Sequence, residues 1–183
     1  MSIDLYAGRL NSCLMSINAS MLERVVLEMN TVMEKGHHIY IIGNGGSAAT
    51  SSHFATDLNK IQYQRKLKGS AVCLSDNSSM LTMITNDFDF EKVYSFQLQI
   101  GAKTGDLLIA ISASGNSSNL VDAVEYCNLV GVKTISFTGF DGGLLSQISK
   151  MSLHVKTKIG DYGIAEDAHS VICHYIAEEI RNV

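Results

Sequence analysis

Gly43-Asn44-Gly45-Gly46-Ser47 and Ser112-Ala113-Ser114-Gly115-Asn116-Ser117 are two versions of one anion-binding device. Each follows an apolar run short enough for a buried strand, His38 to Ile42 in the first case and Leu107 to Ile111 in the second, and each leads into a helical stretch. A strand-to-helix junction of this kind aims unpaired backbone N–H groups and the positive end of a helix dipole at one spot. The serines add hydroxyls that can turn toward phosphate oxygens. Asn44, Gly45, Gly46, Ser47, Ser112, Ser114 and Ser117 are the candidate phosphate contacts. A second kind of chemistry lies close by. His53 and Asp57 are four apart on the helix after the first loop, so their side chains share a face. Glu166 and His174, on the last helical stretch, form another His/carboxylate group. An imidazole can give or take a proton near neutral pH.

The elements that must position these groups alternate along the chain. Residues 21–35 carry a helical apolar stripe (Leu22, Val25, Val26, Met29, Val32, Met33) ended by Gly36. Strands are predicted at 38–42, 70–74, 107–111, 133–137 and 152–156, most of them apolar enough for burial on both faces. Helices are predicted at 47–58, 78–84, 90–100, 117–130, 142–149 and 164–181. This alternation predicts an α/β fold, a parallel sheet with helices on both sides. The 183 residues make one domain, 1–183, and residues 1–20 read as an extra N-terminal helix expected at a subunit contact.

Composition excludes several classes. The net charge of −4 and the absence of a basic stripe argue against nucleic acid, and no apolar run is long enough for a membrane span. Cys13, Cys73, Cys127 and Cys173 form no CxxC pair, and reduced packing residues are expected. A cytoplasmic protein is the expectation. Gly43-x-Gly45-x-x-Ala48 also fits a dinucleotide fingerprint. That reading needs an acidic residue at the end of the next strand. Asp76 is the candidate, but it follows a long polar loop, and the serine loop is left unexplained. No nucleotide cofactor is therefore expected.

The segments Gly43–Ser47, His53-Phe54-Ala55, Asn86-Asp87, Ile111–Ser117, Thr138–Gly143 and Glu166-Asp167-Ala168-His169 occur in that order and resemble the sugar-isomerase (SIS) domain family, and within it the phosphoheptose isomerases. The resemblance covers residues 20–182. It implies a five-stranded parallel sheet sandwiched by helices, a homotetramer, and conversion of sedoheptulose 7-phosphate to D-glycero-D-manno-heptose 7-phosphate, which feeds bacterial surface polysaccharide. It places Ser47, Ser112, Ser114 and Ser117 on phosphate-binding serines, and Asn44 and Asp87 on substrate-contacting positions. Ala113 stands where related enzymes often carry Thr, one hydroxyl fewer.

Ketose–aldose exchange needs a base for a carbon-bound proton, an acid or metal for the developing oxyanion, and exclusion of water. His53, Asp57, Glu166 and His174 match the family's metal-and-catalysis set and would suit Zn²⁺. Two departures stand out: Asp57 replaces the family's usual Glu, and Glu166 its frequent Gln. Asp57 or, if Asp57 is a metal ligand, Glu166 is the base, alongside His174. These departures keep a second reading open, a phosphosugar-binding adaptor or regulator without the chemistry; a third is an isomerase of another sugar phosphate. His169 reads as support for the site or as a subunit contact, and Asp141-Gly142-Gly143 as a structural turn.

Overall fold

The structure, a computed structural model, describes residues 2–183. Five strands form the sheet, the three central ones buried on both faces and the two edge strands, the second and fifth in the chain, only in part. They are β1 (Ile39–Gly43), β2 (Ala71–Cys73), β3 (Leu107–Ser112), β4 (Lys133–Thr138) and β5 (Met151–His154). All pairings are parallel, in the order β2-β1-β3-β4-β5. Eight α-helices complete the described chain: α1 (Ile3–Leu14), α2 (Ala19–Glu34), α3 (Gly46–Arg65), α4 (Ser78–Asp87), α5 (Ser95–Gly101), α6 (Ser118–Val130), α7 (Gly143–Ile148) and α8 (Tyr162–Asn182).

The period-two alternation of strand side chains divides the interior into two cores. Ile39, Ile41, Ile109, Ile111 and Phe137 face α2, α3 and α8 in one. Tyr40, Ile42, Leu108 and Ala110 face α4, α5, α6 and α7 in the other. Each helix meets its core along one stripe, for example Phe54, Leu58 and Ile61 of α3 and Ala168, Ile172 and Ile176 of α8. One consequence of the strand order positions the site. β1 and β3 are neighbours, with Gly43 opposite Ile111, yet α3 leaves β1 toward the first core while α6 leaves β3 toward the second. Helices that diverge from adjacent parallel strands open a crevice beyond the strands' carboxyl ends, where ligands bind in open α/β sheets.

The predicted helix over 90–100 is split. A 3₁₀ turn, Phe90–Lys92, precedes α5, and Val93 and Tyr94 at the break are both buried in the second core. The N-terminal helix folds onto its own chain: the Tyr6 hydroxyl donates to Asp167 of α8 at 2.6 Å, Arg9 pairs with Asp161, and Cys13 is buried. All four cysteines are free and buried. Among the described residues no helix is long and apolar enough to cross a membrane.

His169 of α8 is fully buried, and neither ring nitrogen has a hydrogen-bond partner. Burial lowers its pKa to about 4, which the nearby Thr138 backbone offsets only in part. The unfolded chain therefore binds a proton below about pH 6.5 that the folded chain refuses, so stability is present above that pH and is lost as pH falls toward 4. Between pH 7 and pH 5 this group alone should cost about 2 kcal/mol. Urea unfolding of wild type and His169→Gln at both pH values checks it; parallel pH dependence in the two proteins would show that His169 is not the cause.

Candidate functional site

Both glycine- and serine-rich loops lie at the crevice between β1 and β3. Three helix starts elsewhere are closed by side chains, since Ser2, Asn18 and Asn77 each accept a first-turn N–H of α1, α2 and α4. The helix starts at the crevice are left open. Gly45, at φ +54, caps α3 with no side chain to offer, and Ser117 caps α6 without hydrogen-bonding its own helix. Uncapped N–H groups at two converging helix starts are the backbone arrangement that an anion fills. The pocket between them, about 150 Å³, is lined by Asn44, Ser47, Ser112, Ser114, Ser117 and Glu166, with Ile111, Ala113 and Tyr162. No lysine or arginine lines it, so backbone dipoles and hydroxyls must meet the charge of any phosphate held there.

The loops are internally braced. The Ser112 hydroxyl oxygen accepts the Gly115 N–H at 3.0 Å, and that of Ser114 accepts the Asn116 N–H at 3.3 Å, leaving both hydroxyl hydrogens to donate. The Asn44 and Asn119 side-chain amides bond each other reciprocally, both at 2.9 Å, across the crevice.

A polar seam runs from this pocket between α3 and α8. On α3 it comprises Gly46, Thr50, His53 and Asp57; on α8, Glu166, Ser170 and His174, spaced four apart along one face. Glu166 lies over Gly46, where a Cβ would come within 2.5 Å of its carboxylate, so any larger residue at 46 would displace the Glu166 side chain from this position. Thr50 and Ser170 hydroxyls are 3.3 Å apart in the middle. At the far end His53 Nε2 and His174 Nε2 approach Asp57 Oδ2 at 3.6 and 4.0 Å, and the two imidazoles meet edge to face with centroids 5.0 Å apart. A cleft of about 210 Å³ holds these three with Thr50 and Ser170.

His53, Asp57 and His174 offer ligand atoms within 4.8 Å of one another and can hold a metal ion. Two imidazoles, one carboxylate and an open side suit a catalytic zinc site. The fourth member of the predicted set stands apart. Glu166 precedes His174 by eight residues, about 12 Å of helix rise, and it faces the serine pocket without an ion pair among the described residues. Asp87, predicted at the substrate, ends α4 exposed, where it accepts the Asn86 amide at 2.7 Å, and does not line the pocket.

A SIS domain profile matches residues 6–139. The chain belongs to the SIS domain family. Its sequence is 36% identical to the phosphoheptose isomerase of Helicobacter pylori (strain P12) over 94% of this chain and 88% of that one. It is likewise 36% identical to the phosphoheptose isomerase of Aliarcobacter butzleri (strain RM4018), over 82% of this chain and 78% of the other. The solved structure of the phosphoheptose isomerase from Neisseria gonorrhoeae superposes with a TM-score of 0.90 at 29% identity, covering 98% of this chain and 95% of that one. This SIS domain is therefore an isomerase of the phosphoheptose isomerase type. Its five-stranded parallel sheet is the fold that the sequence resemblance implies.

Sequence reasoning missed the groups that hold the site together. Asn119, in the first turn of α6, and Tyr94, at the start of α5, carry no local signal of importance. Thr50 and Ser170 were visible only as polar residues at helical spacing from the candidates already named.

Proposed function

We propose that this SIS domain interconverts sedoheptulose 7-phosphate and D-glycero-D-manno-heptose 7-phosphate. The observation that carries the reading is the seam itself: an anion pocket at one end, a His/Asp/His cluster at the other, and hydroxyls between. The phosphate is held by the open starts of α3 and α6 and by Ser47, Ser112, Ser114 and Ser117. The seam's length, about 12 Å of helix from Glu166 to His174, is comparable with an extended seven-carbon sugar phosphate. Its reacting carbons then lie by Asp57 and His174.

In the isomerisation a carboxylate takes the proton from C1, giving the enediol, and a proton is returned to C2, while the hydroxyl proton passes from O1 to O2. His174 serves this oxygen transfer, and Asp57 lies at the same end. Zinc held by His53, Asp57 and His174 would polarise the two oxygens. Asp57 would then be a ligand, and Glu166 is the alternative base, which requires C1 to lie toward the Glu166 end of the seam instead of beside His174. His53 and His174 are both more than half exposed in the single chain. A proton-transfer site needs water excluded, which supports a homotetramer whose neighbouring subunits cover the cluster, with Asp87 serving a neighbour's site.

The test is turnover of sedoheptulose 7-phosphate by purified protein, with and without chelator and added zinc. Formation of the aldose is expected; loss to chelator with recovery by zinc assigns the cluster to metal. Tight phosphosugar binding with no turnover under any condition would replace the isomerase reading with that of a binding protein.

A further inference from the structure

We propose that Asn119 and Tyr94 are positioning residues that lock the two phosphate loops into one register and fix Asn44 as a hydrogen-bond donor toward the anion. The proposal rests on reading the serine loops as a phosphate site, and it assigns work to two buried side chains that lie outside the pocket lining.

The two loops need such a device. They belong to helices that leave adjacent strands for opposite faces of the sheet, so no continuous hydrophobic layer joins α3 to α6. The reciprocal amide pair spans this divide, from Asn44 in the loop after β1 to Asn119 in the first turn of α6. Asn119 is 1% exposed, so its amide has no water to fall back on, and among the described residues its side chain pairs only with Asn44.

A reciprocal amide pair survives if both amides rotate together, so the pair alone does not decide which edge of Asn44 meets a ligand. Tyr94 decides it. Its single hydroxyl hydrogen is shared between the Gly43 carbonyl, at 2.5 Å, and Asn44 Oδ1, at 3.2 Å, and the Ser75 hydroxyl, which donates to the same Gly43 carbonyl at 3.1 Å, completes the cluster. Burial raises the Tyr94 phenol above its ordinary value, so it remains a donor at neutral pH. With Oδ1 facing the Tyr94 and Asn119 donors, Asn44 Nδ2 spends one hydrogen on Asn119 and keeps the other for the pocket it lines. A pocket without lysine or arginine depends on every donor being aimed correctly, because one reversed amide would set a carbonyl against a phosphate oxygen.

The experiment is titration of wild type, Asn119→Ala and Tyr94→Phe with inorganic phosphate by calorimetry, together with KM and kcat for sedoheptulose 7-phosphate. Asn119→Ala should weaken phosphate binding by about tenfold, the equivalent of about one net hydrogen bond, and Tyr94→Phe by about threefold. KM should rise by the same factors and kcat should change less, a split that general loosening of the fold does not produce. Phosphate affinity equal to wild type in Asn119→Ala overturns the proposal. Should that variant fail to fold, Tyr94→Phe decides in the same way, because it keeps the ring's volume. Wild type that binds phosphate but does not turn over the heptose phosphate refutes the proposed function alone, leaving the titrations to judge the positioning role. Wild type that binds no phosphate refutes both.

Discussion

Replacing His174 with alanine should lower kcat by about 10²- to 10⁴-fold, the range expected for a positioned acid–base group, with KM changed only a few-fold. The side chain is 57% exposed, at the end of a seam whose other end holds the anion pocket. Its loss creates no cavity, so the fold should be nearly untouched and the lost rate is attributable to chemistry. The comparison with His53→Ala separates two mechanisms. If the cluster works through metal, both variants lose zinc affinity in a direct titration and both lose turnover. If it works by proton transfer alone, His174→Ala loses turnover, His53→Ala loses much less, and zinc has no effect on either. An unchanged kcat for His174→Ala would remove it from the mechanism.

The Glu166 and Asp57 departures acquire physical content from the seam. A carboxylate one methylene shorter at position 57 sits between two imidazoles, each within 4.0 Å, which suits a ligand or a partner for a charged ring. A carboxylate at 166 faces the anion pocket with no cation beside it. Two negative groups so close repel, which favours placing the phosphate against the far wall, on the serines and helix starts, and leaves Glu166 beside the sugar carbons. Glu166→Gln should therefore tighten phosphate binding while it lowers turnover if Glu166 is the base.

Much of this architecture was legible because its signals are local. The apolar runs at 39–42 and 107–111 are buried on both faces and could be read directly, whereas β2 is a three-residue edge strand whose central Val72 is exposed, so its ends were less well marked. The two loops were legible because each anion-binding half is contiguous in sequence. The candidate metal cluster was only partly so. Helical spacing joins His53 to Asp57, but where Glu166 points depends on what lies across the seam, and Gly46 leaves it room at the pocket. Asn119 was hidden for a related reason: its partner lies 75 positions away, and a buried asparagine in a helix has no pattern of its own. The ties of the N-terminal helix to its own chain, from Tyr6 to Asp167 of α8 and from Arg9 to Asp161 just before it, are polar, and polar ties leave no periodicity to read.

The largest effect on stability should come from a glycine in the second loop. Gly115 adopts φ +67, and a Cβ there would lie 2.1 Å from the Gly142 carbonyl oxygen and 2.7 Å from its carbon. Both are backbone atoms and cannot swing aside. The approach is reciprocal: Gly143 is also at positive φ, and its Cβ would come 2.4 Å from the Ser114 carbonyl oxygen. The approach exists because this loop receives the start of α7, with Leu145 N–H donating to the Gly115 carbonyl and Leu144 N–H to Asn116 Oδ1, both at 2.9 Å. Thus the Asp141-Gly142-Gly143 turn is a structural support for the serine loop. Gly115→Ala combines backbone strain with overpacking against fixed atoms and should cost about 4 kcal/mol in urea unfolding. Gly45→Ala is the control, because Gly45 also has positive φ but nothing lies within 4 Å of its Cβ position. It should cost only the conformational part, about 2 kcal/mol, because φ +54 with ψ −122 lies outside the left-handed helical well. Equal losses in the two variants would mean that the loop and turn can move apart, and that the close approach at Gly115 does not set the shape of the pocket.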